Sequence, residues 1–134
     1  KGIQARGELR HTTGHFIDVA PTILDIAGVD VSPPEAGPVL PGRSLVPLFQ
    51  KNETWGERTL FWAHSGNRAI RQGDWKAVTR RDNGDRWELY NIANDRAEKN
   101  DLASAEPKRL DRLAATWDSL KVQYDKDFEA GVVE

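Results

Sequence analysis

Four short runs rich in aromatic and β-branched residues, between Arg58 and Ile92, constrain the fold of this chain most. They read TLFWAH, RAIRQG, WKAVTR and RWELYNI. The segments that separate them are Ser65-Gly66-Asn67, Gly73-Asp74 and Asp82-Asn83-Gly84-Asp85. Short runs joined by turns rich in glycine, asparagine and aspartate are typical of antiparallel strands. The pattern therefore predicts a small antiparallel sheet over residues 58–92.

A periodic segment after the sheet predicts the helix that covers it. From about Glu106 to Asp127, apolar residues recur at spacings of three and four, namely Leu110, Leu113, Trp117, Leu120 and Tyr124. This spacing places them on one face of a helix. Pro107 suits the first turn, where a missing amide donor has no cost. Residues 58–134 are thus predicted to be an α+β unit, a small antiparallel sheet packed by a C-terminal helix.

Side-chain alternation assigns the residues of the first strand to two faces. Successive side chains of a strand point to opposite sides of the sheet. One face is predicted to carry Leu60, Trp62 and His64, and the other Phe61, Ala63 and Ser65.

The segment GHFIDVAPTILDIAGV predicts an earlier, shorter helix. Its apolar residues also recur at three and four, which indicates a helix from about Val19 to Ala27. Asp18 stands at the expected N-cap, and Gly28 stands where a left-handed C-terminal cap is expected. Residues 29–47 then contain five of the chain's seven prolines. Such density is incompatible with helix interiors and central strands and predicts an extended surface loop.

One short helix and a long loop have little to pack on, and this shapes the predicted domain organisation. We interpret residues 1–57 as the tail end of a larger N-terminal domain, and residues 58–134 as a C-terminal subdomain. The sequence begins Lys1-Gly2 and contains no methionine. It therefore looks like part of a longer polypeptide, whose signal peptide, if any, would precede it.

Charge balance and composition restrict the partners. The 134 residues include 19 Lys and Arg and 21 Asp and Glu, a formal net charge of −2. This gives no reason to expect binding to nucleic acid or to an anionic membrane. No apolar run approaches the ~20 residues that cross a bilayer. The chain has no cysteine, so disulfides and thiolate metal sites are excluded within it.

Four stretches in a fixed order resemble one known family. The first is HFIDVAPTILDIAGV, which resembles a D-x-x-PT-(I/L)-L-x-x-AG helix, and the second is PGRSLVPLF, which resembles a G-x-SL-x-PLL loop. The third is LFWAHSGNRAIRQGDWKAV, which is similar to an aromatic strand followed by His-x-GN-R-A-(I/V)-R and GDWK. The fourth is WELYNIANDRAEKNDLA, which is similar to WELYDL-x-x-DP-x-E-x-x-NLA. Together they resemble the C-terminal region of a type I, formylglycine-dependent sulfatase of the bacterial arylsulfatase kind.

The resemblance implies a fold and a chemistry that extend beyond this chain. The whole enzyme would have an alkaline-phosphatase-like α/β fold and a formylglycine that attacks the sulfur of a sulfate ester, with a divalent cation, Ca²⁺ or Mg²⁺, stabilising charge. Formylglycine forms from the first residue of a (C/S)-x-P-x-R motif, which none of the serines here begins. The resemblance thus implies that an upstream sulfatase domain supplies the nucleophile and the metal ligands. The chain alone is predicted to be inactive.

The same resemblance implies a class of substrate and a cellular location for the enzyme. The substrate would be a small-molecule or glycan sulfate ester, hydrolysed by a periplasmic or extracellular enzyme. Three residues differ from the family pattern. Asn91 and Arg96 stand where aspartate and proline are frequent, which concerns turn geometry. Ala63 replaces a frequent glutamate beside the expected site, which leaves the substrate preference open.

Three residues at the first hairpin are candidate substrate-binding residues. By resemblance, the hairpin leans over a pocket of the upstream domain, where His64 and Asn67 hydrogen-bond the substrate near its sulfate and Arg68 adds a cation. The alternative is that His64 is an exposed strand-end imidazole, Asn67 completes a turn and Arg68 pairs with a carboxylate. Spacing alone favours this alternative.

Other polar groups have simpler interpretations. His11 and His15 lack enough neighbouring ligands for a metal site, and we interpret them as exposed or packed at a domain junction. The carboxylates of Asp95, Glu98 and Asp101 lack the regular spacing of a calcium-binding loop. The basic residues of the sheet, Arg71, Lys76, Arg80 and Arg81, are typical of a solvated face rather than of a surface for a polyanion.

Two other functions remain open from the sequence. Five tryptophans are compatible with a non-catalytic carbohydrate-binding or adaptor module, although strand and helix positions explain four of them as core. Trp55, in a turn-rich stretch, is predicted to be the most exposed. A phosphoester or phosphonate hydrolase of the same superfamily is the other alternative, because phosphate and sulfate esters are similar in shape.

Overall fold

The computed structural model describes residues 7–30, 41–51 and 54–129. The chain divides between residues 56 and 57 into two compact units. The first unit contains helices α1 (Val19–Ile26) and α2 (Val46–Gln50). The second contains strands β1 (Thr59–His64), β2 (Asn67–Gln72), β3 (Trp75–Thr79) and β4 (Glu88–Asn91), followed by helix α3 (Pro107–Glu129).

The four strands form an antiparallel sheet in sequence order, β1-β2-β3-β4. This confirms the predicted sheet, with strand boundaries within about two residues of the sequence patterns. The register places Phe61 opposite Ile70, Ile70 opposite Ala77 and Ala77 opposite Leu89. These four apolar residues therefore lie side by side on one face of the sheet.

Helix α3 covers that face and forms the core of the second unit. Ile70, Ala77 and Leu89 are fully buried, and Leu113 and Trp117 of α3 are 3% and 5% exposed. Each large apolar side chain buried in this way contributes roughly 1.5–3 kcal/mol. The predicted helix and its apolar face are confirmed.

Two contacts of Trp117 bind the helix to β1. The Phe61 ring stacks on the Trp117 ring with centroids 5.1 Å apart, and the indole Nε1 of Trp117 donates to the carbonyl oxygen of Trp62 at 3.0 Å. Phe61 and Trp62 are adjacent, and only Phe61 faces the helix, in agreement with the predicted alternation. His64 shares the parity of Trp62 and lies on the face opposite α3.

The opposite face of the sheet also contains buried residues. Leu60 is 3% exposed and Tyr90 is 7% exposed. The Tyr90 hydroxyl donates to Glu88 Oε2 at 2.9 Å. Burial, followed by this hydrogen bond, raises the pKa of Tyr90 to about 12. Tyr90 is therefore a neutral hydrogen-bond donor at physiological pH.

The first unit contains a helix, α1, whose apolar face lies mostly at the surface. The helix itself is confirmed, and Gly28 has the positive φ of 74° that a left-handed C-terminal cap requires. The buried residues of α1, however, are Pro21 and Thr22. Most positions of the apolar face are exposed, including Phe16 before the helix at 86% and Ile23 at 60%, whereas Leu24 is half-buried.

Asp18 occupies the N-cap position of α1, but its carboxylate does not cap that helix. Its Oδ2 accepts from the amide of His15 at 2.7 Å, and its Oδ1 accepts from the amide of Arg43 at 2.9 Å. The residue is completely buried. Because a buried carboxylate needs such donors, Asp18 fixes the segment around Arg43 against the start of α1.

A short helix was not predicted from the sequence. Helix α2 begins at Val46, inside the range 29–47 that was predicted to be extended. Pro47 lies in its first turn, where a missing amide donor has no cost. The prolines between residues 31 and 40 lie outside the described residues. Among the described helices, none is both long enough and apolar enough to cross a membrane.

Candidate functional site

The tip of the β1–β2 hairpin is a two-residue turn that fixes its neighbours closely. Ser65 and Gly66 have φ values of 50° and 84°, as turns that match the twist of the flanking strands require. A Cβ at Gly66 would lie 3.2 Å from Arg81 Cδ. Gly66 thus permits both the turn and the close approach of the Arg81 side chain.

His64 is the last residue of β1 and is exposed. Within the described residues its imidazole forms no hydrogen bond or ion pair. An imidazole can donate through one ring nitrogen and accept through the other. Both nitrogens of His64 are therefore available to a ligand.

Asn67 holds the hairpin tip to the end of β3. Its Nδ2 donates to the carbonyl oxygen of His64 at 3.2 Å, and its Oδ1 accepts from the amide of Arg81 at 3.2 Å. One side-chain amide thus joins two separate loops. The position of the His64 backbone depends directly on this residue.

Arg68 lies on the face of the sheet that α3 covers. Its Nη2 is 3.0 Å from Asp85 Oδ1, and its guanidinium carbon is 5.3 Å and 5.4 Å from the ring centroids of Trp87 and Trp117. Its side chain is 26% exposed. Two aromatic rings and a carboxylate therefore hold this cation in place, with an exposed fraction that still reaches solvent.

These three residues line one open depression of about 440 Å³ at the hairpin tip. The described residues of the lining are Ala63, His64, Ser65, Gly66, Asn67, Arg68, Asp85, Trp117 and Lys121. Among them, Arg68 and Lys121 contribute positive charge, and Asp85 contributes negative charge. Outside the lining, Asp125 pairs with Lys121. The depression is therefore lined by one histidine, whose imidazole has no partner among the described residues, and by two cations that are each paired with a carboxylate.

Sequence reasoning missed the supporting residues of this site. Asp85 was read only as a turn residue and Trp87 only as core, whereas both contact Arg68. Lys121, which lies outside the apolar positions of the helical period, also lines the depression. Asp85 has a left-handed φ of 59°, a conformation that aspartate tolerates in turns. The Gly84-Asp85 turn was therefore the sequence signal for this residue, and it did not indicate a contact with Arg68.

The remaining candidate residues have structural roles in the described residues. The His15 Nδ1 accepts from the amide of Ile17 at 3.3 Å. Asp95 Oδ2 accepts from the amides of Lys99 and Asn100, each at 2.8 Å. Each of these groups stabilises a local turn.

Glu98 and Asp101, which follow in the same loop, tie it to the sheet. Glu98 pairs with Lys76 at 2.6 Å. Asp101 Oδ1 accepts from the amide of Leu89 at 3.0 Å. In the part of the chain that the structure describes, no group of three histidine, aspartate or glutamate side chains could hold a metal ion. The described residues thus do not fit the divalent cation that the resemblance implies.

Trp55, which the sequence predicts to be the most exposed tryptophan, is half-buried and has a contact of its own. Trp62, Trp75 and Trp87 are also half-buried, and Trp117 is buried. Exposed rings available for stacking on sugars were the basis of the carbohydrate-binding alternative. No tryptophan of the chain is exposed in this structure, so that basis is lost.

Comparison with known proteins identifies the class. A four-stranded antiparallel sheet with one covering helix matches solved sulfatases of the alkaline-phosphatase-like fold. Residues 2–123 match the family described as "N-sulphoglucosamine sulphohydrolase, C-terminal". The chain belongs to this family of C-terminal sulfatase regions, which confirms the resemblance seen in the four sequence motifs.

Individual relatives agree with this assignment. An uncharacterized sulfatase of Schizosaccharomyces pombe is 30% identical over 115 residues, which is 75% of this chain and 20% of that protein. The crystal structure of Ps i-CgsB in complex with k-i-k-neocarrahexaose is 29% identical, with a TM-score of 0.61, over 77% of this chain and 23% of its own.

A third relative shares the fold at lower identity. BT4656, solved in complex with its substrate D-glucosamine-2-N,6-O-disulfate, is 23% identical, with a TM-score of 0.54, over 82% of this chain and 24% of its own. The chain therefore spans about a fifth of the curated relative and about a quarter of each of these solved chains.

Proposed function

We propose that this chain is the C-terminal part of an enzyme that hydrolyses sulfate esters, and that the β1–β2 hairpin tip contacts the substrate. A preceding sulfatase domain would supply the formylglycine nucleophile and the divalent cation, Ca²⁺ or Mg²⁺. Family membership over residues 2–123 supports the activity. The single observation that carries the role of the hairpin is that His64 is exposed, has no side-chain partner among the described residues and lines the same depression as Arg68 and Lys121.

The proposal assigns different roles to the three candidate residues. His64 would hydrogen-bond the substrate near its sulfate, because both of its ring nitrogens are available. Arg68 would add positive charge from a guanidinium that Asp85 and two indole rings hold in a fixed place. Asn67 already bonds on both sides of its amide, which favours a role in positioning His64 alongside any direct contact.

We also propose that the first unit docks on that preceding domain through α1. The exposed apolar residues are Phe16, Val19, Ile23, Ile26 and Val29. Exposed apolar patches of this kind are typical of interaction sites. The curated relative and the solved chains are four to five times longer than the matched region, so the rest of a sulfatase is the occupant that accounts for this face. Residues 1–57 would then be the tail of the larger domain.

A glycan sulfate ester is the substrate class that we favour over an aryl sulfate. Ps i-CgsB, at 29% identity, was crystallised with a neocarrahexaose. The depression at the hairpin tip is open and wide rather than enclosed, which suits part of a larger substrate. A phosphoester or phosphonate substrate remains the alternative that the same experiment distinguishes.

The test is His64→Ala in the full-length, formylglycine-containing polypeptide. One hydrogen bond in the transition state contributes about 1–2 kcal/mol, so kcat/KM for a sulfate ester is expected to fall about 5- to 30-fold. Asp74→Ala is the matched control, because Asp74 lies in the exposed turn at the other end of the sheet. Equal kcat/KM for His64→Ala and the wild type would contradict the role of the hairpin.

The activity itself has a separate readout. Release of inorganic sulfate by the wild-type polypeptide is expected, and release of phosphate from matched phosphoesters is expected to be much slower. A faster phosphatase reaction would overturn the sulfatase proposal in favour of the phosphoester alternative.

A further inference from the structure

Two arginines after β3 lie beside the hairpin tip and are not used by the proposed contact. Arg80 and Arg81 follow Thr79 directly and are both exposed. The Arg81 amide donates to Asn67 Oδ1 at 3.2 Å, and its aliphatic carbons lie against Gly66. The backbone and the stem of Arg81 are therefore fixed relative to the hairpin that carries His64.

The charges of this pair are available to a ligand. In the described part of the chain, Arg81 forms no ion pair. Arg80 approaches Asp82 only to 3.9 Å, with side chains that are 60% and 78% exposed, and such exposed pairs are weak. By contrast, Lys76 is held by Glu98 at 2.6 Å and Arg71 Nε by the carbonyl oxygen of Gly73 at 2.7 Å.

A second depression, of about 450 Å³, lies at these arginines. It is lined by Ser65, Asn67, Arg80, Arg81 and Asp82. Ser65 and Asn67 also line the depression that contains His64. The two depressions therefore share the hairpin tip as part of their linings, which places the two arginines next to the depression that His64 lines.

We propose that Arg80 and Arg81 form an anion subsite for a second negatively charged group of the substrate. This inference rests on the proposed sulfatase function. The scissile sulfate ester lies beyond His64, and a sulfate or carboxylate elsewhere on the same glycan binds the two guanidinium groups. The carboxylate of Asp82 leaves the trio with a net positive charge. The hairpin thus selects glycans with at least two anionic groups over singly charged aryl sulfates.

The experiment compares substrates in the full-length, formylglycine-containing polypeptide. The variants are Arg80→Gln with Arg81→Gln, and Arg81→Lys. The substrates are 4-nitrophenyl sulfate, a disulfated disaccharide, and a disaccharide with one sulfate ester and one carboxylate. Arg112→Gln is the matched control, because Arg112 is an exposed arginine of α3 beside Trp75, at the other end of the sheet.

The expected result is a loss of selectivity for dianionic substrates, seen as an increase in their KM. The double variant is expected to raise KM for the dianionic substrates about 10- to 100-fold, because charge-assisted hydrogen bonds are lost, with a much smaller change for 4-nitrophenyl sulfate. Arg81→Lys is expected to raise KM less than the double variant does, because lysine keeps the charge. Arg112→Gln is expected to leave KM unchanged for all three substrates. A larger loss with the disulfated or with the carboxylated disaccharide identifies the bound group. Equal changes for all three substrates, or no change, would overturn the subsite.

Binding separates this inference from the proposed function. If the wild-type polypeptide releases no sulfate, calorimetric titration with the disulfated disaccharide decides the subsite alone. Binding that is lost in the double variant and kept in Arg112→Gln supports the subsite although the sulfatase proposal has failed. The same affinity in all variants, or no binding, overturns it.

Discussion

The two amphipathic helices of this chain have similar sequence patterns and opposite environments. Helix α3 turns its apolar face to the sheet, with Trp117 5% exposed, whereas α1 leaves Ile23 60% exposed. Apolar residues at spacings of three and four predict that a helix has a partner surface. They do not say whether that surface lies in the same stretch of chain. The sheet partner of α3 precedes it within 50 residues, and we propose that the partner of α1 lies in a preceding domain.

The largest expected effect is on the covered helix. Trp117→Ala removes the stacking on Phe61, the bond to the carbonyl of Trp62 and the ring beside Arg68. Truncation of a buried tryptophan costs about 3–5 kcal/mol, so the second unit is expected to unfold at a much lower urea concentration. Phe128→Ala is the control, because Phe128 lies on the same helix and is 69% exposed. Similar urea midpoints for the two variants would mean that α3 does not hold the sheet as described.

A smaller effect, which depends on context, is expected for the exposed helix. Ile23→Asp is expected to change the unfolding free energy of the 134-residue chain by less than about 0.5 kcal/mol, as for other exposed positions. In the full-length polypeptide, the same change would bury an unpaired charge and is expected to cost about 2 kcal/mol or more.

The comparison of the two contexts is the measurement, made by chemical denaturation of both proteins with and without the substitution. An equally small effect in both would contradict docking through α1. The Ile23→Val variant serves as the control, because it keeps the face apolar in either context.

The last comparison concerns two buried threonines, one in each unit. Thr79 is completely buried, and its hydroxyl has no hydrogen-bond partner in the described residues. Thr22 is 6% exposed, and its hydroxyl donates to the carbonyl of Asp18 at 2.5 Å and accepts from the amide of Leu45 at 2.9 Å. The same hydroxyl therefore has two hydrogen-bond partners at Thr22 and, among the described residues, none at Thr79.

Thr79→Val is therefore expected to be neutral or stabilising by about 1 kcal/mol, because it removes an unsatisfied polar group. Thr22→Val is expected to destabilise by about 1–3 kcal/mol, because it leaves the half-buried amide of Leu45 without this acceptor. Thermal or urea unfolding of the two variants measures both. The reverse order of stabilities would show that the Thr79 hydroxyl has a partner, such as a buried water.

Local sequence patterns predicted most of the second unit. The strand β1 was predicted at the bounds observed, because alternation and a two-residue turn are local properties. The long helix α3 was predicted from its period. In the first unit, the helix α1 and the cap at Gly28 were predicted, but α2 was missed since prolines outweighed the short run after Leu45.

The candidate site was only partly predictable. His64, Asn67 and Arg68 are neighbours in sequence, and a hairpin brings them together without any long-range contact. The partners that define their roles come from elsewhere in the chain. Arg81 reaches Asn67 across the sheet, and Trp117 reaches Arg68 from α3, 49 residues later in the sequence. No spacing rule indicates such contacts, because they depend on how the strands and the helix pack.

The sequence by itself determined the strands, the long helix and the family, since periodicity, turn chemistry and ordered motifs are all written along the chain. Only the tertiary structure decided which of the polar residues are engaged. In the folded chain, Arg68 contacts a carboxylate and two indole rings, and Asn67 bonds to two backbone groups. Among the described residues, the side chains of His64 and Arg81 have no hydrogen-bond or ion-pair partner. The physical reason is that hydrogen bonds and ion pairs require distances of about 3 Å, and distances between remote residues exist only after folding.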